Sequence, residues 1–378
     1  MATGNGEDFF AFKGNPYPTV GIEQEFHLID PGSAELAPRV DDVVDALPAG
    51  LRKRTAHELF FSVLETQSPP FASCRELRDN LREDRRLLAQ ACRGAGVLLA
   101  AAASHPFGDW RKEKFIDEPH YEWVGQECGY IARRLLSYGL HVHVGMRSAD
   151  AAIYVINEFR RWLFPIMALS ANSPYFEGQD TGLATVRSHL MSSMPRAGMP
   201  SYFKDLNAIG TYYRKFLETG DIESPGSLWW HLRPQPPLGT AELRMLDLPT
   251  DTARCAVIAA IVQNLMAYLQ DAFEAGEPVS DLDRIYLEQN QWRAMRHGLD
   301  TKIVDPKTGE VLELREQLER LFEEMSAKAG ELGNGEFLDQ AREYLHQPTE
   351  ARQQRDYVAA GHSLRELELW IADRTAAV

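Results

Sequence analysis

The alternation of side chains in residues 19–30, TVGIEQEFHLID, limits the folds open to this chain more than any other segment does. Successive side chains of a β-strand point to opposite faces, so the apolar residues of this segment share one face and its ionisable residues share the other. The ionisable face carries Glu23, Glu25 and His27, beside Gly21. Carboxylates held that close repel each other and raise each other's proton affinity. A fold that gathers them needs a compensating positive charge.

Two later segments repeat this two-faced pattern: GLHVHVGM (139–146) and TAELRMLDLP (240–249). The first alternates His141 and His143 with apolar residues, and the second places Glu242 and Arg244 opposite apolar neighbours. An antiparallel sheet with one packed face and one polar face produces such alternation. We therefore predict an α+β fold in which helices cover the apolar face of the sheet. A charged basin is expected on the polar face.

Residues 56–68, AHELFFSVLETQS, are predicted to form a further strand because they are rich in aromatic and branched side chains. This strand adds Glu58 and Glu65 to the basin. Their separation along the chain is odd, so a flat strand would place them on opposite faces. One of the two must therefore lie at a bend or a bulge.

Helical periodicity dominates much of the remaining chain. Residues 73–96 are predicted as a helix that begins at a capping box of Ser73 and Glu76 and stops at Gly94. Residues 150–170 read as an apolar helix that bends or ends near Pro165. The remaining expectations are a buried strand at 97–103, a loop at 171–188, and helices at about 251–275, 311–330 and 350–375.

Neither an internal repeat nor a low-complexity linker divides the sequence. We therefore predict a single domain over residues 1–378, with a loose lead-in at 1–18 and a mostly helical C-terminal part at 305–378. The adjacent Trp229 and Trp230 are interpreted as packing residues rather than a ligand clamp.

Composition narrows the class of protein. The formal net charge of −15 argues against nucleic acid and an anionic membrane surface as partners. The apolar run CAVIAAIVQNLMAYLQDAF is interrupted by Gln263 and Asn264, which favours a buried helix over a membrane span. The first ten residues lack the basic start and apolar run of a signal peptide, and the four cysteines form no Cys-x-x-Cys pair. We expect a cytoplasmic protein with reduced thiols.

A basin of clustered carboxylates suits a hard divalent cation. Mg²⁺ prefers a few carboxylates plus phosphate oxygens, and an arginine on the same face suits the phosphate that the cation also holds. This combination favours phosphoryl transfer. The chain has no Gly-x-x-x-x-Gly-Lys-Ser/Thr loop, so ATP would be held by a sheet through metal ions. Taken singly, Glu-x-Glu is common on solvated strands and Glu-x-Arg in cross-strand salt bridges, but these two patterns together with His-x-His favour a functional site.

Several longer motifs resemble the carboxylate–amine ligases grouped as glutamate–cysteine ligase type 2. They run from about residue 19 to 300 and are GIEQEF, ETQSPP, SHPF, YGLHVHVG, ALSANSPYFEGQDTGLATVRS, WWHLRPQPPLGTAELRMLD and WRAMRHGLD. The resemblance implies a core similar to that of glutamine synthetase, a curved antiparallel sheet with helices behind one face. This agrees with the two-faced strands.

The resemblance also implies roles for particular residues. The residues implied as metal ligands are Glu23, Glu25, Glu58, Glu65, His141 and Glu242. The implied catalytic residues are Arg244, which would contact the transferred phosphate, together with Glu65 and His141. Arg187, Arg233 and His143 are implied to bind the nucleotide or substrate.

The activity implied by the resemblance is ATP-dependent amide formation. The side-chain carboxylate of L-glutamate would attack ATP, an acyl phosphate would form, and an amine, with cysteine as the first candidate, would displace phosphate. The cofactors would be ATP and Mg²⁺, with Mn²⁺ as an alternative. Two other functions stay open: a zinc-dependent hydrolase that uses His141 and His143, and a non-catalytic relative that binds nucleotide or glutamate. Exposed sheet edges often pair, which makes a homodimer an alternative to a monomer.

Overall fold

A computed structural model describes residues 10–222 and 224–377. Its strands are β1 (Val20–Ile29), β2 (Thr55–His57), β3 (Val63–Gln67), β4 (Leu98–Ala100), β5 (Gly139–Gly145), β6 (Tyr175–Phe176), β7 (Gln179–Asp180), β8 (Leu232–Gln235), β9 (Thr240–Asp247), β10 (Lys302–Val304) and β11 (Val311–Glu313). Its α-helices are α1 (Val40–Ala46), α2 (Ala49–Arg52), α3 (Cys74–Gly94), α4 (Pro119–Cys128), α5 (Tyr130–Arg133), α6 (Ala149–Phe159), α7 (Leu163–Ser170), α8 (Val186–Ser192), α9 (Leu206–Thr219), α10 (Thr252–Glu274), α11 (Arg284–His297), α12 (Leu314–Glu324), α13 (Ser326–Glu331), α14 (Gly335–Leu345), α15 (Glu350–Ala359) and α16 (Leu364–Ala376).

The main sheet is antiparallel throughout, in the order β2–β3–β1–β5–β9–β8, with β4 paired to the end of β1. Its register brings the ionisable residues of neighbouring strands side by side. Glu23 lies opposite His141, Glu25 opposite Glu65, and His143 opposite Glu242. Directly opposed residues of an antiparallel pair share a face, so these pairs form one polar surface. The predicted charged basin therefore follows from the strand register.

The apolar face of the sheet packs against a helical layer in which α10 is central. Helix α10 contacts α3, α6 and α14, and it also touches β1 and β5. Its length and composition would allow a membrane crossing, but 89% of its most apolar window is buried within the fold. Gln263 and Asn264 are buried as well and hydrogen-bond to Asn334. The prediction of a buried core helix is confirmed, as is the α+β fold with helices behind the sheet.

The single strand predicted over residues 56–68 is wrong. The chain forms two short strands there, β2 and β3, which pair with each other so that Ala56 lies opposite Glu65. Glu58 follows β2 directly and sits in the connection between the strands. The odd separation of Glu58 and Glu65 is resolved by this reversal of the chain, because Glu58 no longer belongs to a flat strand.

Three other local expectations also need correction. The apolar helix predicted at 150–170 ends at Phe159, and a second helix, α7, begins at Leu163. Pro165 lies in the first turn of α7, where backbone N–H groups make no intrahelical hydrogen bond, so the proline does not disrupt the helix. The loop predicted at 171–188 contains the β6–β7 hairpin and the start of α8. Ser73 caps α3 by accepting a hydrogen bond from the Arg75 N–H rather than through a reciprocal pair with Glu76. At the other end, Gly96 takes the positive φ of 76°.

Residues 10–18, predicted as part of a loose lead-in, lie against the body of the protein. Phe10 and Phe12 pack against the main core, the Lys13 N–H donates to the Pro236 carbonyl, and the Asn15 N–H donates to the Met146 carbonyl at 2.7 Å. The description of this segment as loose is therefore wrong for residues 10–18, and residues 1–9 lie outside the described part of the chain. The four cysteines are free and buried, as expected for packing residues.

Candidate active site

The floor of the basin is formed by β1 and β5, whose carboxylates and imidazoles lie next to one another. His141 Nδ1 lies 2.8 Å from Glu23 Oε2, and His141 Nε2 lies 3.3 Å from Glu25 Oε1. His143 Nε2 lies 3.4 Å from Glu23 Oε1. Burial opposes the charged form of His143, but the charges of Glu242 and Glu23 outweigh burial and raise its pKa. Glu23 thus faces both imidazoles.

Glu242 on β9 is fully buried and is held ionised by arginines. Arg233 Nε donates to Glu242 Oε2 at 2.8 Å, Gln235 Nε2 donates to the same oxygen, and Arg244 donates to Glu242 Oε1. Burial alone would raise the pKa of Glu242, but the positive charges of Arg233 and Arg244 lower it well below its ordinary value. Its oxygen Oε1 also lies 3.9 Å from His143 Nε2. A permanent negative charge therefore stands beside His143.

The opposite wall holds carboxylates that resist ionisation. Burial and the charge of Glu25 raise the pKa of Glu58 to about 7, although the Tyr121 hydroxyl donates to this carboxyl group at 2.9 Å. Burial and the charges of Glu23 and Glu58 raise the pKa of Glu65 well above its ordinary value. The basin thus holds more carboxylates than can be ionised together near neutral pH without added cations.

Two groups of side chains in the described residues have the geometry of a cation site. One is Glu23, Glu65 and His141, and the other is Glu23, His143 and Glu242; within each group the ligand atoms lie within 4.8 Å of one another. His143 Nε2 is buried without a hydrogen-bond partner among the described residues, so it is available to bind a cation. Mostly carboxylate oxygens with one imidazole per group suit Mg²⁺ or Mn²⁺.

The predicted site residues converge, but two predicted metal ligands stand outside these groups. Glu25 accepts a hydrogen bond from the Gly139 N–H and lies 4.0 Å from the Arg187 guanidinium. Glu58 is bonded to Tyr121. Conversely, His143, predicted to bind nucleotide, belongs to the second group.

Arg187 reaches the basin from α8. Its guanidinium is buried, donates to the Arg244 carbonyl, and passes so close to Gly139 that a Cβ there would lie 2.1 Å from Nη2. A side chain at position 139 would displace the Arg187 guanidinium, so the glycine before the His-x-His pair makes room for the arginine. The Nε atoms of Arg187 and Arg244 are buried and have no hydrogen-bond partner among the described residues. Both arginines therefore keep a donor available for an anion.

Two cavities open onto the basin. The first, which we call the "arginine cavity", has a volume of about 290 Å³ and is lined by Glu58, Glu65, Arg187, Arg233 and Arg244. Its apolar wall is formed by Leu59, Phe60, Val124, Met191, Met194 and Trp229. The "His143 cavity", about 320 Å³, contains Glu23 and His143 and is otherwise lined by uncharged side chains. The arginine cavity is lined by Glu65 and His141 of the first cation group, and the His143 cavity is lined by Glu23 and His143 of the second.

Some functional candidates were missed or misread in the sequence. Gln235 shares the face of Arg233 on β8, and this two-residue spacing could have identified it. Tyr121 gives no comparable signal, because it comes from a helix far along the chain. Trp230 packs on Phe203 as predicted, whereas Trp229 lines the arginine cavity. His27 shares the face of Glu23 but is buried away from the basin, 2.8 Å from Glu368.

A comparison with known families matches residues 19–368 to the model of glutamate–cysteine ligase family 2 (GCS2), which spans nearly all of the described chain. The chain belongs to glutamate–cysteine ligase family 2. A protein of Haloferax volcanii named glutamate–cysteine ligase is 37% identical over 298 residues, 78% of this chain and 83% of that protein. A protein of Rubrobacter xylanophilus, provisionally named glutamate–cysteine ligase 2-3, is 35% identical over 366 residues, 97% of this chain and 99% of that protein.

Among solved structures, the fold is similar to that of a glutamate–cysteine ligase from Francisella tularensis crystallised in complex with AMP. The TM-score is 0.73 at 12% sequence identity, over 97% of this chain and 90% of the other, so this likeness speaks for the fold alone. Family membership confirms the predicted class of enzyme, an ATP-dependent ligase of the glutamate–cysteine ligase type. It favours this class over the zinc hydrolase and the non-catalytic binding protein.

Proposed function

We propose that the protein joins the side-chain carboxylate of L-glutamate to an amine at the expense of ATP, with cysteine as the first candidate amine. The observation that carries this proposal is the convergence of Glu23, Glu65 and Glu242 with two imidazoles around two cation positions, next to buried arginines. Both substrates of the first step are anions, so a site for their reaction must neutralise charge before it can bring them together.

Mg²⁺ is the cofactor that these residues fit best. The ion would be held by Glu23, Glu65 and His141, and a second ion by Glu23, His143 and Glu242. When bound, such ions neutralise phosphate oxygens and let a carboxylate approach the γ-phosphorus. The raised pKa of Glu65 supports this assignment, because the repulsion that causes it would be relieved by a divalent cation.

The nucleotide is proposed to occupy the His143 cavity, with its phosphates toward the cation positions. That cavity is lined mainly by uncharged groups, which suit ribose and base rather than a second anion. Thr240 Oγ1 lies 3.1 Å from His143 Nδ1 and fixes the direction of the imidazole. Glutamate is proposed to occupy the arginine cavity, where Arg187 and Arg233 can meet its carboxylates.

Amide formation would proceed in two steps. The glutamate side-chain carboxylate attacks the γ-phosphorus, the bond to ADP breaks, and an acyl phosphate forms. The amine nitrogen then attacks the activated carbonyl carbon, the C–O bond to phosphate breaks, and the amine releases a proton. Arg244 would stabilise the transferred phosphoryl group. Glu242 holds the Arg244 guanidinium in place, and the Nε atom of Arg244 has no hydrogen-bond partner among the described residues.

The acceptor amine would enter through the arginine cavity. The apolar wall formed by Val124, Met191, Met194 and Trp229 suits a small uncharged side chain better than a charged one. The name of the Haloferax volcanii relative, glutamate–cysteine ligase, supports cysteine as the first amine to test.

ADP release with Mg²⁺, ATP and glutamate, measured across a panel of amines that begins with cysteine, tests the proposal. We expect ADP release that requires both glutamate and an amine, and mass spectrometry should find the γ-glutamyl amide. ATP-independent hydrolysis that a zinc chelator abolishes would favour the hydrolase. Nucleotide binding without ADP release for any amine would favour the binding protein.

Three wider expectations complete the proposal. We propose that residues 1–378 act as a single ligase domain, that the protein works in the cytoplasm, and that it has neither nucleic acid nor membrane as a partner, consistent with its net charge of −15. A homodimer stays the alternative to a monomer, and light scattering would distinguish them.

A further inference from the structure

The segment of residues 13–19, which we call the N-terminal strap, runs across the ends of β5 and β9 and borders the His143 cavity. Asn15 and Thr19 line this cavity together with Glu23 and His143. Residues 13–18 of the strap precede the region that matches the family, which begins at residue 19. Family membership therefore assigns no role to residues 13–18.

Backbone hydrogen bonds fix the strap to the sheet at both ends. The Asn15 N–H donates to the Met146 carbonyl at 2.7 Å, and the Gly145 N–H donates to the Thr19 carbonyl at 2.8 Å. From the helical layer, the buried side chain of Gln263 donates to the Pro18 carbonyl at 2.7 Å. The strap is thus tied to β5 and to the core helix α10.

Glycines on the sheet give the strap room to lie this close. A Cβ at Gly145 would lie 2.7 Å from the Asn15 side-chain nitrogen and 2.8 Å from the Tyr17 carbonyl oxygen. At Gly239, where φ is +67°, a Cβ would lie 1.8 Å from the Lys13 carbonyl oxygen. Side chains at these positions would push the strap off the sheet. The sequence of the sheet is therefore fitted to the strap.

With the nucleotide placed in the His143 cavity as proposed, the strap borders the space left for its nucleoside end. His143, a ligand of the second cation position, and Gly145, which the strap covers, are two residues apart on the same face of β5, a distance of about 7 Å. With phosphates at the cations, ribose and base would extend along this face toward Asn15. The strap offers them a neutral amide and a hydroxyl, Asn15 and Thr19, which hydrogen-bond each other at 2.9 Å.

We infer that the N-terminal strap forms the nucleoside wall of the ATP site, with Asn15 positioned to contact ribose or base. Asn15 holds the turn of the strap by accepting a hydrogen bond from the Tyr17 N–H, and its amide still has bonding capacity left for a ligand. Leu238, which is exposed and lines the same cavity, offers an apolar surface for the face of the base. This inference rests on the proposed function, which places the nucleotide in the His143 cavity.

Two substitutions test the strap without touching the cation ligands. Asn15→Ala removes the amide, and Gly14→Ala adds a Cβ that would lie 2.4 Å from the Arg147 carbonyl oxygen and lift the strap. Gly94→Ala is the matched control, because a Cβ there meets nothing within 4 Å. Binding of Mg·ADP by calorimetry, KM for ATP, KM for glutamate and the melting temperature are measured for each.

We expect Asn15→Ala to weaken Mg·ADP binding about three- to tenfold, the effect of one lost hydrogen bond, and Gly14→Ala to weaken it more. KM for ATP should rise in parallel, while KM for glutamate and the melting temperature of Asn15→Ala stay close to the values of Gly94→Ala. Unchanged Mg·ADP binding in both strap variants would overturn the inference. Equal rises of both KM values would also overturn it, because they indicate a general structural effect.

The same measurements separate this inference from the proposed function. A wild-type protein that binds Mg·ADP but releases no ADP with any amine contradicts the ligase proposal, while the binding constants of the variants still decide the role of the strap. A wild-type protein that turns over ATP, with strap variants that bind Mg·ADP normally, contradicts the strap alone. A wild-type protein that binds no Mg·ADP overturns both.

Discussion

Replacing Glu65 with glutamine should stabilise the metal-free protein while weakening its response to Mg²⁺. Glu65 and Glu23 have carboxylate oxygens within 4.8 Å of each other. At an effective dielectric constant of about 20, two unit charges at this distance repel by about 3 kcal/mol. For an unfolding entropy of about 2.1 cal/mol/K per residue over 378 residues, relief of that repulsion raises the melting temperature by about 4 °C.

The sign of this effect depends on pH. The pKa of Glu65 is raised in the folded protein, so the folded state binds more protons than the unfolded state once the pH exceeds the ordinary glutamate value of 4.5. The metal-free wild type therefore loses stability as the pH rises through the raised pKa of Glu65. The gain from Glu65→Gln should be small at pH 4.5 and should grow as the pH rises toward the raised pKa of Glu65.

Thermal melts of wild type and Glu65→Gln at several pH values, each with EDTA or with increasing Mg²⁺, provide the assay. The matched control is Glu113→Gln, because burial also raises the pKa of Glu113 but this residue bonds Ser62 rather than a basin residue. We expect Glu65→Gln to melt higher than wild type in EDTA and to gain less from Mg²⁺. A variant that melts lower in EDTA and keeps the full Mg²⁺ response would show that Glu65 neither repels Glu23 nor binds the cation.

Three further perturbations have defined outcomes. Arg244→Ala should keep the fold but reduce kcat about 10³-fold or more, because the guanidinium would stabilise the transferred phosphoryl group. Steady-state ADP release measures kcat, and wild-type turnover in the variant would exclude this role for Arg244. Glu23→Gln should lower the apparent affinity for Mg²⁺ in the activity assay by at least about tenfold, since Glu23 belongs to both cation groups. An unchanged Mg²⁺ titration would show that Glu23 is not a cation ligand. Mg²⁺ binding near pH 7 should release protons, because the pKa of Glu58 is raised to about 7 and that of Glu65 is raised well above its ordinary value. Calorimetry in buffers of different ionisation enthalpy measures the number of protons released. Zero released protons would contradict the raised pKa values.

The sheet and much of the basin could be predicted from the sequence because strand periodicity is local. Alternation alone placed Glu23 with Glu25 and His141 with His143 on one face, and the structure pairs Glu23 with His141 across neighbouring strands. A single sequence carries no comparable local signal for which strand lies next to which. The sequence therefore predicts an antiparallel sheet but not the order of the strands around β1.

The remaining features depend on contacts between distant parts of the chain. The reversal that brings Glu58 to the basin is a hairpin within a segment whose composition reads as one continuous strand. His27 shares the face of Glu23, but Glu368 from the last helix binds it and removes it from the basin. Residues 13–18 belong to the predicted loose lead-in, because nothing in their own sequence indicates that Gly145 and Gly239 leave room for them on the sheet. In each case the partner lies too far along the chain for local periodicity to indicate it.

The proposed chemistry requires acidic side chains from separate strands to meet around divalent cations. Anomalous diffraction from crystals grown with Mn²⁺ and ADP tests it most directly. We expect two peaks in the basin, one bonded to Glu23, Glu65 and His141 and the other to Glu23, His143 and Glu242, at distances of about 2.0–2.3 Å. Peaks only elsewhere on the protein, at Mn²⁺ concentrations that support turnover, would contradict it.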